Sequence, residues 1–435
     1  MEYVFYLHQH IGVASAPVVQ KGDTVQRGQK IAVRPENSLG ANIFSSVSGK
    51  VTDIDEEKIV IEEKGTDFTK FVPLTSGTAK ELIEESGLIG LGGAGFPTYV
   101  KLNVDLHGKG YAIVNAAECE PILSHNIARI EREPQKLLEG LEMVMQQIHA
   151  GSGIIAIKEI HPEAIKRLEK ANKNPHIKIS LLGNVYPMGE ERAVIRETLG
   201  ILLEPEKLPV EANAIVINSE TVFRLREAVL EKKPLIDKDM TVAGKLKENA
   251  SIHVLFDVPV GRKVADVIEQ CGGLGEEYGE LIMGGPFTGK RTTLDSAVVK
   301  TTGGIIATET FWSGPSKIGL LVCACGADED RLRDQAKSMG SDVVGVEFCK
   351  QARPVKNTRK CENPGICPGQ VQKVMALKKV GAQAVLVSNC TDCTNTVMSC
   401  APQMGLKVYH CTDGSLRAVN HKLIRKFSAT QTMEH

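Results

Sequence analysis

Residues 88–102 read LIGLGGAGFPTYVKL and place four glycines, Gly90, Gly92, Gly93 and Gly95, within six positions. Glycine clears side chains from the backbone, so a ligand can reach main-chain N–H groups, and such turns can cradle phosphate. Lys101 follows as a cation able to neutralise a phosphate, and Phe96 offers a face for stacking. The plain alternative is a mobile turn. The flanking segments favour a site. AKELIEESGL before the loop is an amphipathic helix, YAIVNA after it a buried strand, and EPQKLLEGLEMVMQQIH a long helix with apolar residues at 3–4 spacing. GIIAIK and KISLL read as further strands, so residues 76–232 are expected to form an α/β domain.

In such a domain ligands sit beyond the carboxyl ends of the strands. YAIVNA runs into VNAAECEP, which brings Asn115, Glu118 and Glu120 to that end, and VYPMGEERAV adds Tyr186, Gly189, Glu190 and Glu191. Phosphate wants N–H donors and a cation, whereas ribityl and ribose hydroxyls want carboxylates and amides. Each carboxylate taken singly could also be an exposed charge.

Outward from this centre the pattern changes on both sides. Residues 1–75 alternate apolar and polar in short runs (VTDID, KIVIEE, KIAV) punctuated by turn glycines, as short strands do. APVVQKGDTVQRGQKIAV followed by IFSSVSGKVTDI resembles the biotinyl/lipoyl-like barrel-sandwich fold. The place of the carrier lysine falls at about Ser38, so a docking or structural module without an attached cofactor is expected. Residues 233–310 suggest a small β-grasp-like (SLBB) module. TFWSGPSK looks like a linker, and residues 317–427 alternate strands and helices regularly enough for a doubly wound parallel sheet. The expected fold class is therefore a multidomain α/β protein.

The totals bound the function. A net charge of −1 over 435 residues gives no footprint for nucleic acid or an acidic membrane. No basic-then-apolar leader and no apolar run of about 18 residues is visible, so a cytoplasmic protein is expected. Of the 11 cysteines, six fall between Cys361 and Cys411, and only Cys119 and Cys271 precede Cys323. A large chain with one thiol-dense end points to metal or redox chemistry. Cys323, Cys325, Cys349, Cys390 and Cys411 each fall at or just past the end of one expected strand, an edge that a parallel sheet shares. Cys367 and Cys393 stand at helix starts, where thiolate is favoured. Cys323, Cys325, Cys349, Cys361, Cys367, Cys390 and Cys393 are thus candidate metal ligands, and Cys390–Cys393 the candidate exchanging pair. Burial as small apolar residues is the competing reading. It suits Cys119, Cys271, Cys400 and Cys411.

GLGGAGFPT, VNAAECEP, YPMGEE and INSET, in this order, resemble the flavin-binding fold of the RnfC subunit of Rnf-type ferredoxin:NAD oxidoreductases and, more distantly, the NADH-binding subunit of respiratory complex I. The resemblance covers about the first 310 residues. It implies FMN with NADH stacked on it. Gly90, Gly92, Gly93 and Lys101 would lie at the phosphate end. Asn115, Glu118, Tyr186, Gly189, Glu190, Asn218 and Thr221 would line the flavin, and Phe96, Glu120 and Glu191 would meet the nicotinamide nucleotide. Leu91 and Ala117 stand where the complex I subunit has an arginine and an aspartate. The ferredoxin motif CxxCxxCxxxCP of RnfC is absent, which departs from eight-iron wiring. The tail, with VCACGADEDRLRDQA and CENPGICPGQVQKVMALKKVGAQAVLVSNCTDC, is similar to the RnfC-like PrdC family associated with D-proline reductase. That resemblance implies an NADH-oxidising flavoprotein that delivers electrons through an iron–sulfur cluster or a dithiol to that reductase. Three other readings stay open: a peripheral subunit of a membrane complex, a scaffold with a vestigial flavin site, and a zinc-binding tail.

Overall fold

The computed structural model describes residues 1–248, 250–356, 358–388 and 391–424, with the backbone alone for 391–393. Four sheet-centred units follow one another along the chain. In the first, Glu2–Tyr6, Lys58–Glu63, Gly49–Ile54 and Thr24–Val25 pair antiparallel, beside a small sheet of Ala16–Pro17, Lys30–Val33 and Ile43–Phe44. Alternation in KIVIEE sends Ile59 and Ile61 inward, where they share one core with Phe5, Val25, Ile31 and Ile43.

The second unit has four parallel strands in the order Ile177–Leu182, Ala150–Lys158, Lys109–Ala116, Ala214–Asn218. Its central strands read as continuous apolar runs because both faces are covered. Ala112, Val114 and Ile155 pack with Leu137, Leu141 and Val144 of the helix Pro134–Gln147. Ile113, Ile154 and Ala156 pack on the other face with Val194 and Ile195 of the helix Glu191–Leu199. Gly140 lets the first of these helices approach its neighbour: a Cβ there would stand 2.7 Å from the carbonyl oxygen of Val222.

The third unit is a mixed sheet in the order Ser251–Pro259, Asp237–Gly244, Gly304–Ala307, Leu281–Met283, Lys290–Thr292, with the helix Val264–Gln270. Asp237–Gly244 is buried along its whole length although it begins Asp-Lys-Asp. A buried charge without a partner costs several kcal/mol, and here each is paired. Asp237 meets Arg27 (2.6 Å) and Lys233 (2.9 Å), Lys238 meets Glu220, and Asp239 meets Arg129 (2.7 Å) and Arg224 (2.9 Å). All of these partners but Lys233 come from the first and second units, which makes the strand a charged seam among three units.

The fourth unit is a parallel sheet in the order Asp342–Phe348, Lys317–Val322, Ala384–Val387, Lys407–His410. Two local features differ from the regular strand–helix reading. ARPVKNTRKC folds as a hairpin, Ala352–Val355 against Thr358–Cys361, so Cys361 ends a hairpin arm and not a crossover helix or sheet strand. SLRAVNHKLIRKF reads as one helix, but among the described residues the last helix is Asp413–Ala418: Asn420 turns left-handed (φ 54) and the His421 N–H returns to the Leu416 carbonyl, which ends it.

Candidate functional site

The glycine loop is closed on itself by Gly90 N–H to Phe96 O (2.8 Å) and Gly95 N–H to Gly90 O (2.9 Å). Gly93 and Gly95 take φ of +96 and +63, open to glycine at no steric cost. The loop is gripped from two sides. Thr221 Oγ1 accepts the Leu91 N–H (3.0 Å), and Gly95 O accepts the Ile11 N–H (2.9 Å) from the first unit. Asn218 caps the helix Ser219–Arg226 through Oδ1, leaving its Nδ2 against Gly92, where a Cβ would stand 3.0 Å away. Between these anchors Gly92, Gly93 and Ala94 are exposed, and their amides have no acceptor among the described residues. Three adjacent open donors beside an amide side chain fit an anionic, hydroxyl-rich group such as the phosphate and ribityl end of FMN.

The carboxylates divide differently from expectation. Lys101 and Glu191, given to phosphate and nicotinamide nucleotide respectively, form one ion pair. Glu190 caps the helix Glu191–Leu199 by accepting from the amides of Arg192 (2.8 Å) and Ala193 (3.1 Å) and also meets the Arg192 guanidinium. Glu118, expected to line a flavin, turns inward. Its side chain is 4% exposed, and it accepts from Ile127 N (2.9 Å) and Asn126 Nδ2 (3.2 Å) at the start of the helix His125–Arg132. Thr221 likewise serves the loop backbone. Asn115 Nδ2 donates to Gly189 O (2.8 Å), and the Gly189 N–H in turn donates to Cys119 Sγ (3.3 Å), so the VNAAECEP and YPMGEE segments are stitched together. Burial pushes the Cys119 thiol up to about 11, in keeping with a packing role.

Glu120 and Tyr186 depart furthest from the expected roles. Glu120 has both oxygens on the turn at 284–290: Oε2 accepts from Phe287 N (2.7 Å), and Oε1 accepts from Thr288 N (2.9 Å) and Thr288 Oγ1 (2.5 Å). Its enclosure raises the carboxyl above the usual range, against the pull of those three donors. Tyr186 is 6% exposed, stacks on Phe287 (3.7 Å between centroids, 11° between planes) and lies in a core shared with Leu320, Val322 and Cys411 of the fourth unit. Burial holds its phenol well above the ordinary value. Phe287 and Thr288 are the partners of Glu120 and Tyr186 that the sequence reading did not name. GGPFTGK shows the glycines and the threonine of an anion-holding turn, and that signal was available.

The thiols gather at the edge of the fourth sheet. Cys323 and Cys325 Sγ lie 3.6 Å apart just past Lys317–Val322, and Cys349, just past Asp342–Phe348, packs with them. Gln370 Nε2 reaches both Cys349 Sγ (3.1 Å) and Cys367 Sγ (3.7 Å). Cys361 ends the hairpin opposite Ala352, which packs with Cys323 and Cys349; its Sγ lies 3.5 Å from Gln351 Oε1 and its carbonyl accepts from Arg192 of the second unit. Cys411 is buried, and burial drives its thiol to about 12. Cys390 and the Cys393 side chain lie outside the described residues; the Cys393 backbone is in the first turn of the helix Thr391–Cys400. Among the described residues no three His, Cys, Asp or Glu side chains are grouped to hold a metal ion.

Comparison with known proteins agrees with this geometry. Residues 1–70 match the RnfC barrel sandwich hybrid domain, and residues 83–227 match the Nuo51 FMN-binding domain. The chain is 34% identical over 321 residues to the C subunit of the proton-translocating ferredoxin:NAD(+) oxidoreductase complex of Clostridium ljungdahlii, covering 69% of each protein. The C subunit of the Na(+)-translocating ferredoxin:NAD(+) oxidoreductase complex of Acetobacterium woodii is 31% identical over 317 residues, 68% of this chain and 71% of its own length. Cobalamin reductase PduS of Citrobacter freundii is 28% identical over 353 residues, 79% and 73% of the two lengths.

Proposed function

Because the chain belongs to the RnfC-like family of electron-transfer subunits, we propose that it oxidises NADH at the glycine loop and passes the electrons outward through the thiol-rich sheet edge. The observation that carries the reading is the set of open amides at Gly92, Gly93 and Ala94 beside Asn218, inside a domain of the FMN-binding type. FMN bound there would take a hydride and release electrons singly. The protein's own part is to hold it. The loop amides and Lys101 would hold the phosphate, Lys101 giving up its pairing with Glu191, and Asn218 would bond the hydroxyl-bearing part of the cofactor. NADH leaves as NAD+; its hydride supplies two electrons and one proton, and a second proton from solvent completes the conversion of a disulfide such as Cys390–Cys393 to two thiols. An iron–sulfur cluster on the same cysteines would carry the electrons one at a time.

The domain bounds belong to the same reading: barrel sandwich 1–75, flavin domain 76–232, β-grasp-like (SLBB) module 233–310 and doubly wound cysteine domain 317–427. The tail's similarity to PrdC supports D-proline reductase as acceptor and a cytoplasmic location; no described helix is long and apolar enough to cross a membrane. A second reading, a peripheral subunit of an ion-translocating ferredoxin:NAD oxidoreductase, is favoured by the two relatives from ion-translocating complexes.

The deciding experiment is the visible spectrum of anaerobically purified protein before and after NADH, with iron and sulfide assayed on the same sample. Flavin bands that bleach support the reading, and iron with sulfide selects the cluster over the dithiol. Failure to take up FMN on reconstitution would overturn it. Recovery with the membrane fraction would favour the second reading.

A further inference from the structure

The turn Gly284–Lys290 touches three functional segments at once. Its amides at Phe287 and Thr288 and the Thr288 hydroxyl hold the Glu120 carboxylate of the second unit. The Phe287 ring stacks on Tyr186 from the YPMGEE segment. The Phe287 carbonyl accepts from Arg331 (2.9 Å), a 7%-exposed side chain on the helix Glu329–Ser338 of the fourth unit. The turn is built for this. Gly289 N–H closes on Gly285 O (2.9 Å), Gly284 takes φ +108, and a Cβ on Gly285 would overlap the Glu120 carboxyl. Other bonds between the third and fourth units, such as Gln335 to Glu280 (3.4 Å) and Arg291 to Ser338 (3.2 Å), do not reach the second unit.

We infer that this turn couples the flavin-site loops to the thiol-bearing sheet, and that Glu120, Phe287 and Thr288 are positioning residues that set the separation across which electrons leave the glycine-loop site. The inference rests on the electron route proposed above. A carboxylate held at both oxygens by fixed donors cannot slide, and charge-assisted bonds of this kind are the strong ones. Arg331 links the same turn to the cysteine unit through its bond to the Phe287 carbonyl, and breaking a bond to a buried charged group costs more than breaking a neutral one.

The test compares Thr288→Val with Thr288→Ser, which keeps the hydroxyl, on the full chain. Without flavin or nucleotide, amide exchange at Phe287 and Thr288 is expected to rise in Thr288→Val and to return towards the parent value in Thr288→Ser. Acrylamide quenching of the sole tryptophan, Trp312, which packs on Tyr409 of the fourth unit, should rise with it. With FMN bound, the cysteine unit first oxidised by ferricyanide and desalted so that it can accept the flavin's electrons, and limiting NADH in anaerobic stopped flow, bleaching should keep its rate and NADH dependence, while the later recovery of the flavin band slows by roughly ten- to hundredfold. Glu120→Gln should slow the same recovery phase, and the double variant should be no slower than the worse single one. Unchanged recovery in Thr288→Val, or a Glu120→Gln defect confined to the NADH-dependent bleaching, would overturn the inference and return Glu120 to the nucleotide. No bleaching in the parent protein would remove the electron route and the inference with it, and is distinguishable because it precedes any substitution.

Discussion

At the residue scale the ion pair of Lys101 with Glu191 makes the sharpest claim about cofactor binding. A carboxylate and a phosphate compete for one ammonium. Lys101→Gln is expected to weaken FMN binding roughly tenfold, the worth of one charge-assisted hydrogen bond. Glu191→Gln is expected to tighten it, because the competitor is gone while the cation stays. Fluorescence titration of FMN into the flavin-free protein measures both, and weakening in both variants would sever Lys101 from the phosphate. The glycines and Asn218 were legible from the sequence because their requirement is local: backbone clearance and a helix cap. The carboxylates were not. A Glu in a string shows its charge but not its donors, and Glu118 and Glu120 found theirs in Ile127 and in the remote Phe287 and Thr288.

At the element scale, periodicity identified the central strands and long helices of the second and fourth units, since each buries a stripe or face that the sequence must spell out. It missed the 352–361 hairpin, whose four-residue arms are too short to show a period. It also overran the final helix, whose end depends on one left-handed residue, Asn420. Gly140 is an element-scale signature of packing. Alanine there gains up to about 1 kcal/mol of helix propensity, but its Cβ would press on Val222, and overpacking costs about 1–3 kcal/mol. Gly140→Ala is therefore expected to lower the urea midpoint. A higher midpoint would show that the helices can part without cost.

At the scale of the whole molecule the units are joined by buried polar groups. Lys300 is the clearest: its amine donates to Asn42 O (2.6 Å) in the first unit and Gly87 O (2.8 Å) in the second. Burial pulls it down to about 7 from 10.5. Between those values the unfolded chain carries the extra proton, so folding stability rises with pH across the window. The contribution is full above 10.5 and lost as pH falls through about 7. The urea midpoint of the parent protein should climb between pH 7 and about pH 9 more steeply than that of Lys300→Met, which has no proton to release. Parallel slopes would mean that water reaches the amine.

The sequence by itself determined the central strands and long helices of the second and fourth units, that the glycine loop presents open backbone donors, that a flavin-type α/β unit follows a barrel-sandwich unit, and that Cys323, Cys325 and Cys349 collect at one sheet edge. These follow from short-range sterics and from the period at which apolar residues recur. Only the tertiary structure decided what each polar group faces. Glu120 meets donors 167 and 168 residues away, Arg192 reaches the Cys361 carbonyl, and Asp237–Gly244 is a buried strand despite its charges because partners from two other units close on it. A hydrogen bond or ion pair is fixed by position in space, and across such separations in chain no local pattern records it.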